Sequence, residues 1–522
     1  MDKWVPRLVT GSVILVLIFT LFPFDFSVND GFSIQTIVNS FHHSSNLNDW
    51  LNNILLFLPF GFGLTCLMQR TKLGSLGVIV TVLIASAGLS LTVEVLQVFL
   101  PARSPTVADI WANSLGGLLG FVCFVVGRVK FICYTSAFII RIEECLSIKT
   151  ITLAFLGYFA LTLLISLSLQ NATNLSNWDQ TFPLVLGNES TGYRPWQGYI
   201  SQLYIADRAM SEAEVERAFS DQQSWTAIGD SLVGFYPLTG RGSYRDQTGN
   251  LPALSWQGQP PDVHNGTGVF LSANHWLKTA TPPSLITQKL RQTSQFTLSV
   301  TIATADTKQS GPARIVSLSA DPFHRNFTLG QQGMNLVLRL RTPITGKNGL
   351  YPELILPKVF CNTNPHHLLI SYNGSLLQLY IAQRDQSLNY YSFELNPEIT
   401  IFRYLLFPLT NWTINIATAN PLVYRLLYYG LMFIPLGFSL GLITRFLRGF
   451  WLFDLFIIAV VILLPTWFLE CILAQGSGRD MKVENLLISI GITLGTMLLV
   501  KIRFLAGFKR YIKRHIGLLN EL

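Results

Sequence analysis

Long apolar runs alternate with short polar loops near both ends of the chain, and a long polar stretch separates the two groups. Each run approaches the roughly 20 residues that a helix needs to cross a bilayer. The pattern therefore predicts a polytopic membrane protein in which two α-helical blocks flank one large polar domain. The predicted spans cover residues 9–24, 51–68, 76–99, 107–127, 151–169, 423–442, 452–473 and 483–500.

Positive charges in the loops favour one orientation, because short loops rich in Lys and Arg stay in the cytoplasm. With the amino terminus inside, Arg70, Lys72, Arg445 and Arg448 all fall in inside loops. We therefore expect a multi-pass protein of the cell membrane with both termini cytoplasmic and residues 170–420 outside. The net charge of +8 reflects this topology and contact with anionic headgroups. The expected partner is membrane lipid, and no pattern indicates nucleic acid.

The cysteines give no sign of a disulfide framework or a metal centre. Cys361 is the single cysteine of the polar domain, so that domain cannot form an internal disulfide. No CxxC pair or His/Cys spacing suggests zinc. We expect no metal and no cofactor, with calcium in the polar domain as the alternative.

The two helical blocks resemble each other in one register. The string LLFLPFGF at 55–62 returns as LMFIPLGF at 431–438, and at the same offset of 376 residues Glu94 falls on Glu470 and Arg103 on Arg479. Charged residues are rare at membrane depth, so we interpret this as a parallel internal repeat of four helices plus four. The expected division is a first block at 1–130, a cytoplasmic loop and fifth span at 131–175, a polar domain at 176–405, a degenerate second block at 420–505 and a basic tail at 506–522.

Polar residues of the first block collect at the ends of its predicted spans, on the side facing the polar domain. Some of them share a helix face through their spacing of three or four residues. The second block keeps its glutamate and arginine, but Asn485 and Ser489 stand where the first block has Asp109 and Asn113. The candidate ligand-binding residues are Asp49, Asn53, Glu94, Gln97, Arg103, Asp109, Asn113, Glu470 and Arg479.

Two interpretations of this cluster stay open. Ionisable groups in spans are costly and usually face a partner or a polar cavity. The cluster could hold a phosphate-bearing or other polar headgroup with Arg103 as the bidentate donor, or it could only clamp the helices together. Asp109 would in either case be suited to cap the start of the fourth span.

The first block resembles the VanZ-like family of membrane proteins, named after a teicoplanin-resistance factor. The resemblance rests on N-x3-F-L-P-F-G-F from Asn53, on E-x-x-Q from Glu94, and on R-x5-D-x3-N-x2-G-G from Arg103. It covers about 8–130, with a weaker echo over 423–500. It implies an envelope membrane protein and a relation to glycopeptide resistance, but no defined chemistry.

The polar domain is predicted to be an all-β sandwich, because short strand-like runs alternate with turn signals. Clear runs are Phe296–Ile302, Arg314–Leu318, Leu336–Leu340 and Leu368–Tyr372. The strip 198–219 predicts a strand followed by a short helix whose start carries a capping box of Ser211 and Glu214.

This domain resembles concanavalin A-like and laminin G-like sandwiches. The strip 198–219 is similar to their closing segment and 232–250 to their opening strand, which implies a permuted order. Such domains bind sugars or proteins, so Trp196, Trp256 and Trp276 are candidate carbohydrate contacts. The alternative places most of these aromatic side chains in the core.

Three functions follow from these features. The leading hypothesis is a non-enzymatic envelope protein that binds a cell-wall glycan or a lipid-linked headgroup. The second is a membrane enzyme acting on a headgroup, with Asp109 or Glu94 as general base and Arg103 holding phosphate. The third, a transporter, is disfavoured because the polar residues gather at one face of the membrane rather than at mid-depth.

Overall fold

The chain folds into two compact units, residues 1–150 and 151–522. The computed structural model describes residues 5–22, 24, 26, 47–69, 71, 73–100, 105–145, 147–220, 222–239, 243–260, 268–383, 388–405, 412–444, 451–477 and 481–519.

The first unit is a bundle of four helices: α1 (Val5–Leu21), α2 (Leu47–Met68), α3 (Ser75–Gln97) and α4 (Val107–Cys145). Its centre is apolar and joins three of the helices through buried side chains of α1, α2 and α3. The buried members of this cluster are Val16, Leu21, Phe57, Phe60, Val93 and Leu100.

Glycines bring α2 and α4 into backbone contact, as the glycine-rich pattern of the fourth span predicts. A Cβ atom on Gly61 would lie 2.1 Å from the carbonyl oxygen of Gly117. One on Gly116 would lie 2.4 Å from the carbonyl oxygen of Ile54. Any larger residue at these positions would force the two helices apart.

The second unit contains helix α5 (Ile148–Asn171), which begins just before the boundary, and the β-rich domain with its own short helices. Three further helices end the chain. The short helices are α6 (Glu212–Ser220), α7 (Ser284–Thr293), α8 (Pro397–Thr400) and α9 (Phe402–Leu405), and the last three are α10 (Pro421–Ile443), α11 (Trp451–Ser477) and α12 (Val483–Leu519).

Within the described residues, seven helices are long and apolar enough to cross a membrane: α2, α3, α4, α5, α10, α11 and α12. They match seven of the predicted spans to within a few residues, and the protein is therefore a multi-pass membrane protein. Helix α1 corresponds to the predicted span at 9–24, and its 17 residues make it shorter than the other seven.

The β-rich domain is a sandwich of an eight-stranded and a seven-stranded sheet, counted over the described ranges. The rings of Phe296 and Phe327, one from each sheet, lie 5.5 Å apart between the layers. The strands are β1 (Leu184–Leu186), β2 (Gly198–Ala206), β3 (Leu232–Pro237), β4 (Leu254–Gly258), β5 (Val269–Leu271), β6 (His275–Thr279), β7 (Phe296–Thr304), β8 (Ala313–Ser319), β9 (Arg325–Gln332), β10 (Asn335–Leu340), β11 (Glu353–Leu356), β12 (His366–Tyr372), β13 (Leu376–Gln383), β14 (Asn389–Glu394) and β15 (Thr413–Asn415).

The order of strands in space differs from their order in the chain. One sheet runs β15-β11-β10-β9-β8-β1-β6-β4, and the other runs β14-β13-β12-β7-β2-β3, with β5 also paired to β2. Gly374 turns the β12–β13 hairpin with a φ of 101°. The predicted capping box of Ser211 and Glu214 is present. The backbone N–H of Ser211 donates to Glu214 Oε2 at 2.9 Å at the start of α6.

Three boundaries differ from the sequence prediction. The stretch 131–145, expected as a loop, continues α4 as a helix, and residues 506–519 of the expected tail continue α12. The sandwich does not end at 405, because β15 returns to the eight-stranded sheet and pairs in parallel with β11. Strand β15 has only three residues, which is too short for a period-two pattern to reveal it.

Helix α5 enters the sandwich through a tightly bonded junction. The Tyr372 hydroxyl donates to the carbonyl oxygen of Thr173 at 2.6 Å, and Thr173 Oγ1 donates to the carbonyl oxygen of Gly374 at 2.7 Å. The backbone N–H of Ile344 donates to the carbonyl oxygen of Ala172 at 3.1 Å. The first residues after the helix are therefore held by two hairpins of the sandwich.

Candidate functional site

Glu94 organises the junction between α3 and α4 in the first unit. Its side chain is 2% exposed, and its Oε2 accepts the backbone N–H of Thr106 at 2.8 Å. Thr106 Oγ1 in turn accepts the backbone N–H of Asp109 at 3.1 Å. A carboxylate from one helix thus caps the first turn of the next, where it also meets the positive end of the helix dipole.

The expectation that Asp109 caps α4 is wrong, because Thr106 occupies the cap position. Asp109 lies in the first turn of the helix and is half-buried. A carboxylate in this turn still interacts favourably with the unpaired N–H groups of the helix start. Asp109 is therefore placed beside Glu94 at the same helix end, but with access to the surroundings.

Gln97 and Asn113 are buried in the same bundle. Gln97 Nε2 donates to the carbonyl oxygen of Thr20 at 2.9 Å, which ties α3 to α1. Asn113 Nδ2 donates to Ser90 Oγ at 2.8 Å, which ties α4 to α3. Asn113 Oδ1 is buried and accepts no hydrogen bond. An unsatisfied buried acceptor costs about 1–3 kcal/mol, so this oxygen is suited to a bound donor.

Three other residues are predicted to belong to this cluster: Asn53, Asp49 and Arg103. Asn53 is half-buried on α2. The side chain of Asp49 and all of Arg103 lie outside the described residues, so their convergence with Glu94 stays a prediction.

The second block repeats the cap geometry of the first. Glu470 Oε1 accepts the backbone N–H of Lys482 at 3.0 Å, and Glu470 is 2% exposed. Glu470 and Lys482 each lie 376 residues after Glu94 and Thr106. The helix packing repeats as well, because a Cβ on Gly437 would lie 2.6 Å from the carbonyl oxygen of Thr493, at the positions equivalent to Gly61 and Gly117.

In the second block, a residue from the sandwich completes the polar cluster. The Tyr429 hydroxyl lies 3.2 Å from Glu470 Oε2 and 3.3 Å from Glu398 Oε1, where Glu398 belongs to α8. Asn485 Nδ2 lies 3.3 Å from Glu398 Oε1 and 3.3 Å from Glu470 Oε2. Lys482 Nζ also pairs with Glu394 of β14. We call Glu398, Tyr429, Glu470 and Asn485 the sandwich clamp.

The sandwich clamp supports a structural role for the second block's polar residues. Arg479, predicted as a member of this cluster, lies outside the described residues. Sequence reasoning missed Tyr429 and Glu398. The repeat register could have found Tyr429, since it lies 376 residues after Asn53, but no pattern marked Glu398 among the acidic residues of the sandwich.

The tryptophans proposed as carbohydrate contacts occupy different environments. Trp196 is fully buried and donates from its indole nitrogen to Gln331 Oε1 at 2.8 Å, so it is a core residue with no surface for a sugar ring. Trp256 and Trp276 are half-buried on the neighbouring strands β4 and β6. Trp256 stands opposite Leu277, whereas Trp276 stands opposite Gln257, so the two indoles lie on opposite faces of the sheet.

The side-chain oxygen atoms of Asp246 serve the turn after β3. Asp246 Oδ1 accepts the backbone N–H of Phe235 at 2.7 Å, and Oδ2 accepts those of Asn250 and Leu251, each at 2.9 Å. Over the described ranges, no group of three or more His, Cys, Asp or Glu side chains is arranged to hold a metal ion.

Comparison with known proteins identifies one part of the chain. Residues 10–129 match the VanZ/LLP1 family, so the first unit contains a VanZ-like domain. The matched range is less than half of the chain and ends before the sandwich and the second block. No curated protein and no solved structure matches the chain significantly.

Proposed function

We propose that this protein is a non-enzymatic membrane protein of the cell envelope that binds a lipid-linked or glycan headgroup through its VanZ-like domain. In this proposal both termini are cytoplasmic and the sandwich is extracytoplasmic. The site comprises Glu94, Asp109 and Asn113, together with Arg103, which donates hydrogen bonds to a phosphate group of the ligand.

The unsatisfied oxygen of Asn113 carries the proposal. An unsatisfied buried acceptor is destabilising, so a hydrogen bond from a bound headgroup to this oxygen would be favourable. Asp109 is half-buried one helical turn from Asn113 on the same face of α4, so an incoming donor can meet both side chains. Hydroxyl and amine groups of a headgroup supply such donors.

In the second block the donor groups at these positions bond to other parts of the protein, although Asn485 Oδ1 is also buried without a hydrogen-bond partner. The equivalent positions hold Asn485, which bridges Glu398 and Glu470, and Ser489, whose hydroxyl donates to the carbonyl oxygen of Asn485 at 2.9 Å. The amide nitrogen of Asn485 and the hydroxyl of Ser489 are thus used within the protein. We infer that the second block is a degenerate copy that anchors the sandwich and that the first block holds the ligand.

The test is direct binding of the purified full chain to a panel of lipid headgroups, peptidoglycan fragments and polysaccharides. Asp109→Asn combined with Asn113→Ser converts these two positions of the first block to those of the second. We expect this variant to fold with unchanged helix content and to lose at least about tenfold in affinity for the ligand found, as the removal of a charged and a neutral hydrogen bond predicts.

Glu470→Gln is the control, because it perturbs the polar cluster of the second block and should leave binding intact. Absence of binding to every member of the panel, or equal loss in both variants, would contradict the proposal. The relation to glycopeptide resistance is tested separately, by teicoplanin sensitivity of a deletion strain complemented with wild type or the double variant.

A membrane enzyme is the second candidate, with Asp109 as general base. It is favoured by the change from Asp109 in the first block to Asn485 in the second, because an amide cannot accept a proton as a carboxylate does. Turnover of the bound headgroup by wild type and retention of binding without turnover by Asp109→Asn would support the enzyme over the binding protein.

A further inference from the structure

The eight-stranded sheet carries buried arginines on three adjacent strands. Arg314 lies on β8, Arg325 on β9 and Arg339 on β10, and the first two are 1% and 0% exposed. Glu353 on β11 pairs with Arg339. Arginine is rarely buried without a paired charge, so this group is unusual for a β-sheet.

Strand register places two of these arginines on the same face of the sheet. Arg314 stands opposite Gly330 on β9, and Arg339 stands opposite Thr328 on the same strand. Residues two apart on one strand point to the same side, so Arg314 and Arg339 project together across β9. Gly330 lies between them on β9, where a Cβ atom would come within 2.7 Å of the carbonyl oxygen of Ala313.

The charges of this group do not balance. The guanidinium groups of Arg314, Arg325 and Arg339 are joined by that of Arg194. Against these four stand two carboxylates, that of Glu353, which is paired with Arg339, and that of Asp321, which is paired with His324. Arg325 Nη2 donates to the carbonyl oxygen of Pro322. Arg314 Nη1 and two further donors of Arg325, Nε and Nη1, are buried without any hydrogen-bond acceptor.

This arrangement of like charges is electrostatically unfavourable. Burial, followed by the charge of Arg325, lowers the pKa of Arg314 to about 8. Burial, followed by the charge of Arg339, lowers the pKa of Arg325 to about 9. Because a guanidinium keeps its proton near neutral pH, these lowered pKa values mean that the charged side chains are held close together at a cost in free energy.

We propose that Arg314, Arg325 and Arg339 form an enclosed anion-binding site in the sandwich, which takes a phosphate group. A phosphate carries up to two negative charges and several acceptor oxygens, which match the excess charge and the unsatisfied N–H groups. Guanidinium groups bind phosphate in a bidentate manner, so Arg suits this ligand better than Lys. The site lies in the sandwich, and it does not depend on the headgroup site proposed for the first unit.

The experiment measures thermal unfolding of the full chain in a phosphate-free maltoside detergent, followed by tryptophan fluorescence. Inorganic phosphate and glycerol 3-phosphate are titrated separately against potassium chloride at equal ionic strength. Stabilisation by inorganic phosphate alone identifies a free ion as the ligand. Stabilisation by glycerol 3-phosphate as well identifies a phosphate ester, as in a headgroup. Equal unfolding temperatures in phosphate, ester and chloride overturn the proposal.

Variants assign the effect to these residues. Arg314→Met keeps much of the side-chain volume and should weaken phosphate affinity at least about tenfold, as expected for one charge-assisted hydrogen bond. Arg314→Lys keeps the charge but loses the planar guanidinium that donates two parallel hydrogen bonds, so its affinity for phosphate should be intermediate. Arg217→Met on the exposed face of α6 changes the net charge equally and should bind like wild type. Equal phosphate affinity in Arg314→Met and Arg217→Met would exclude the site.

Discussion

His367 shows how a single side chain links the stability of the sandwich to pH. Its Nε2 lies 2.7 Å from Ser299 Oγ, and its ring packs 4.3 Å from that of Phe219. Burial lowers the pKa of His367 from 6.5 to about 4. The folded state therefore favours the neutral ring, and the unfolded chain binds the proton at a higher pH than the folded protein does.

We expect the sandwich to lose stability as the pH is lowered from 6.5 towards 4. Above pH 6.5 the ring of His367 is neutral in both the folded and the unfolded state, and the free energy of unfolding is at its full value. It declines as the pH falls between the two pKa values, because only the unfolded state then binds the proton. The full difference is at most about 3 kcal/mol, an upper bound because the side chain is only half-buried. Denaturant unfolding followed by tryptophan fluorescence at a series of pH values measures it.

His367→Gln is the control for this prediction. The amide retains a hydrogen bond to Ser299 but does not titrate, so its stability should vary less between pH 6.5 and 4. The ion pair of Arg208 and Glu214 serves as an internal reference, because the hydrogen bond from Arg208 lowers the pKa of Glu214 to about 2 and moves its effect below 4.5. A wild-type curve parallel to that of the variant would refute the assignment to His367.

At the scale of elements, the sandwich clamp joins α8 to α10, α11 and α12. Tyr429→Phe removes the hydroxyl that lies between Glu398 and Glu470, so the two buried carboxyl groups lose a donor that they share. We expect a loss of about 1–3 kcal/mol in the stability of the second unit, since a buried charged acceptor is then less well satisfied. Thermal unfolding of the full chain, with limited proteolysis near 395–420, reports the loss.

The neighbouring tyrosine supplies a matched comparison. Tyr428 is equally buried, and its hydroxyl lies 2.6 Å from the neutral Ser166 Oγ. Tyr428→Phe removes the same atom from a neutral hydrogen bond, so it should destabilise the protein less than Tyr429→Phe. Equal effects of the two substitutions would mean that the carboxylates draw no special stability from Tyr429.

The elements that the sequence predicts are those with a local cause. Hydropathy gives the spans, because a helix in the bilayer needs about 20 apolar residues. The Asn373-Gly374 turn and the Ser211–Glu214 capping box likewise depend on residues that are close in the sequence. By contrast, β15 and Glu398 owe their positions to contacts with distant strands and helices, which no local pattern records.

The candidate site is predictable to a similar degree. The spacing of Glu94 with Gln97 and of Asp109 with Asn113 places each pair on one helix face. The Thr106 cap has a local signal, because Thr106 and Asp109 stand three residues apart in the pattern of a capping box. The spacing does not reveal that Glu94, on another helix, reaches the backbone N–H of Thr106. Nor does it reveal that the equivalent Asn485 is bound to a residue of the sandwich.

At the scale of the whole molecule, the proposed orientation is tested by one exposed thiol. Cys361 is exposed on the sandwich, whereas Cys66, Cys123 and Cys471 lie in membrane-spanning helices. We expect a membrane-impermeant maleimide to label Cys361 in intact cells, because the sandwich is proposed to lie outside. Peptide mass spectrometry of the labelled protein locates the modified cysteine.

Cys361→Ser should abolish labelling of intact cells, and Cys145, which the topology puts inside, should react only after permeabilisation. Labelling of Cys361 solely in permeabilised cells would reverse the orientation, and with it the assignment of the headgroup site to the outer leaflet.

The hydrogen-bonded junction at Ala172–Thr173 has a mechanical consequence. A domain on a loose tether swivels freely, whereas this one is fastened at its entrance by Tyr372 and Gly374 and near its exit by the sandwich clamp. A lateral pull on the sandwich by an attached polymer would then reach α5 and α10 as a torque rather than dissipate in a hinge. Spin labels on the sandwich and on α10 should accordingly give a narrow distribution of distances.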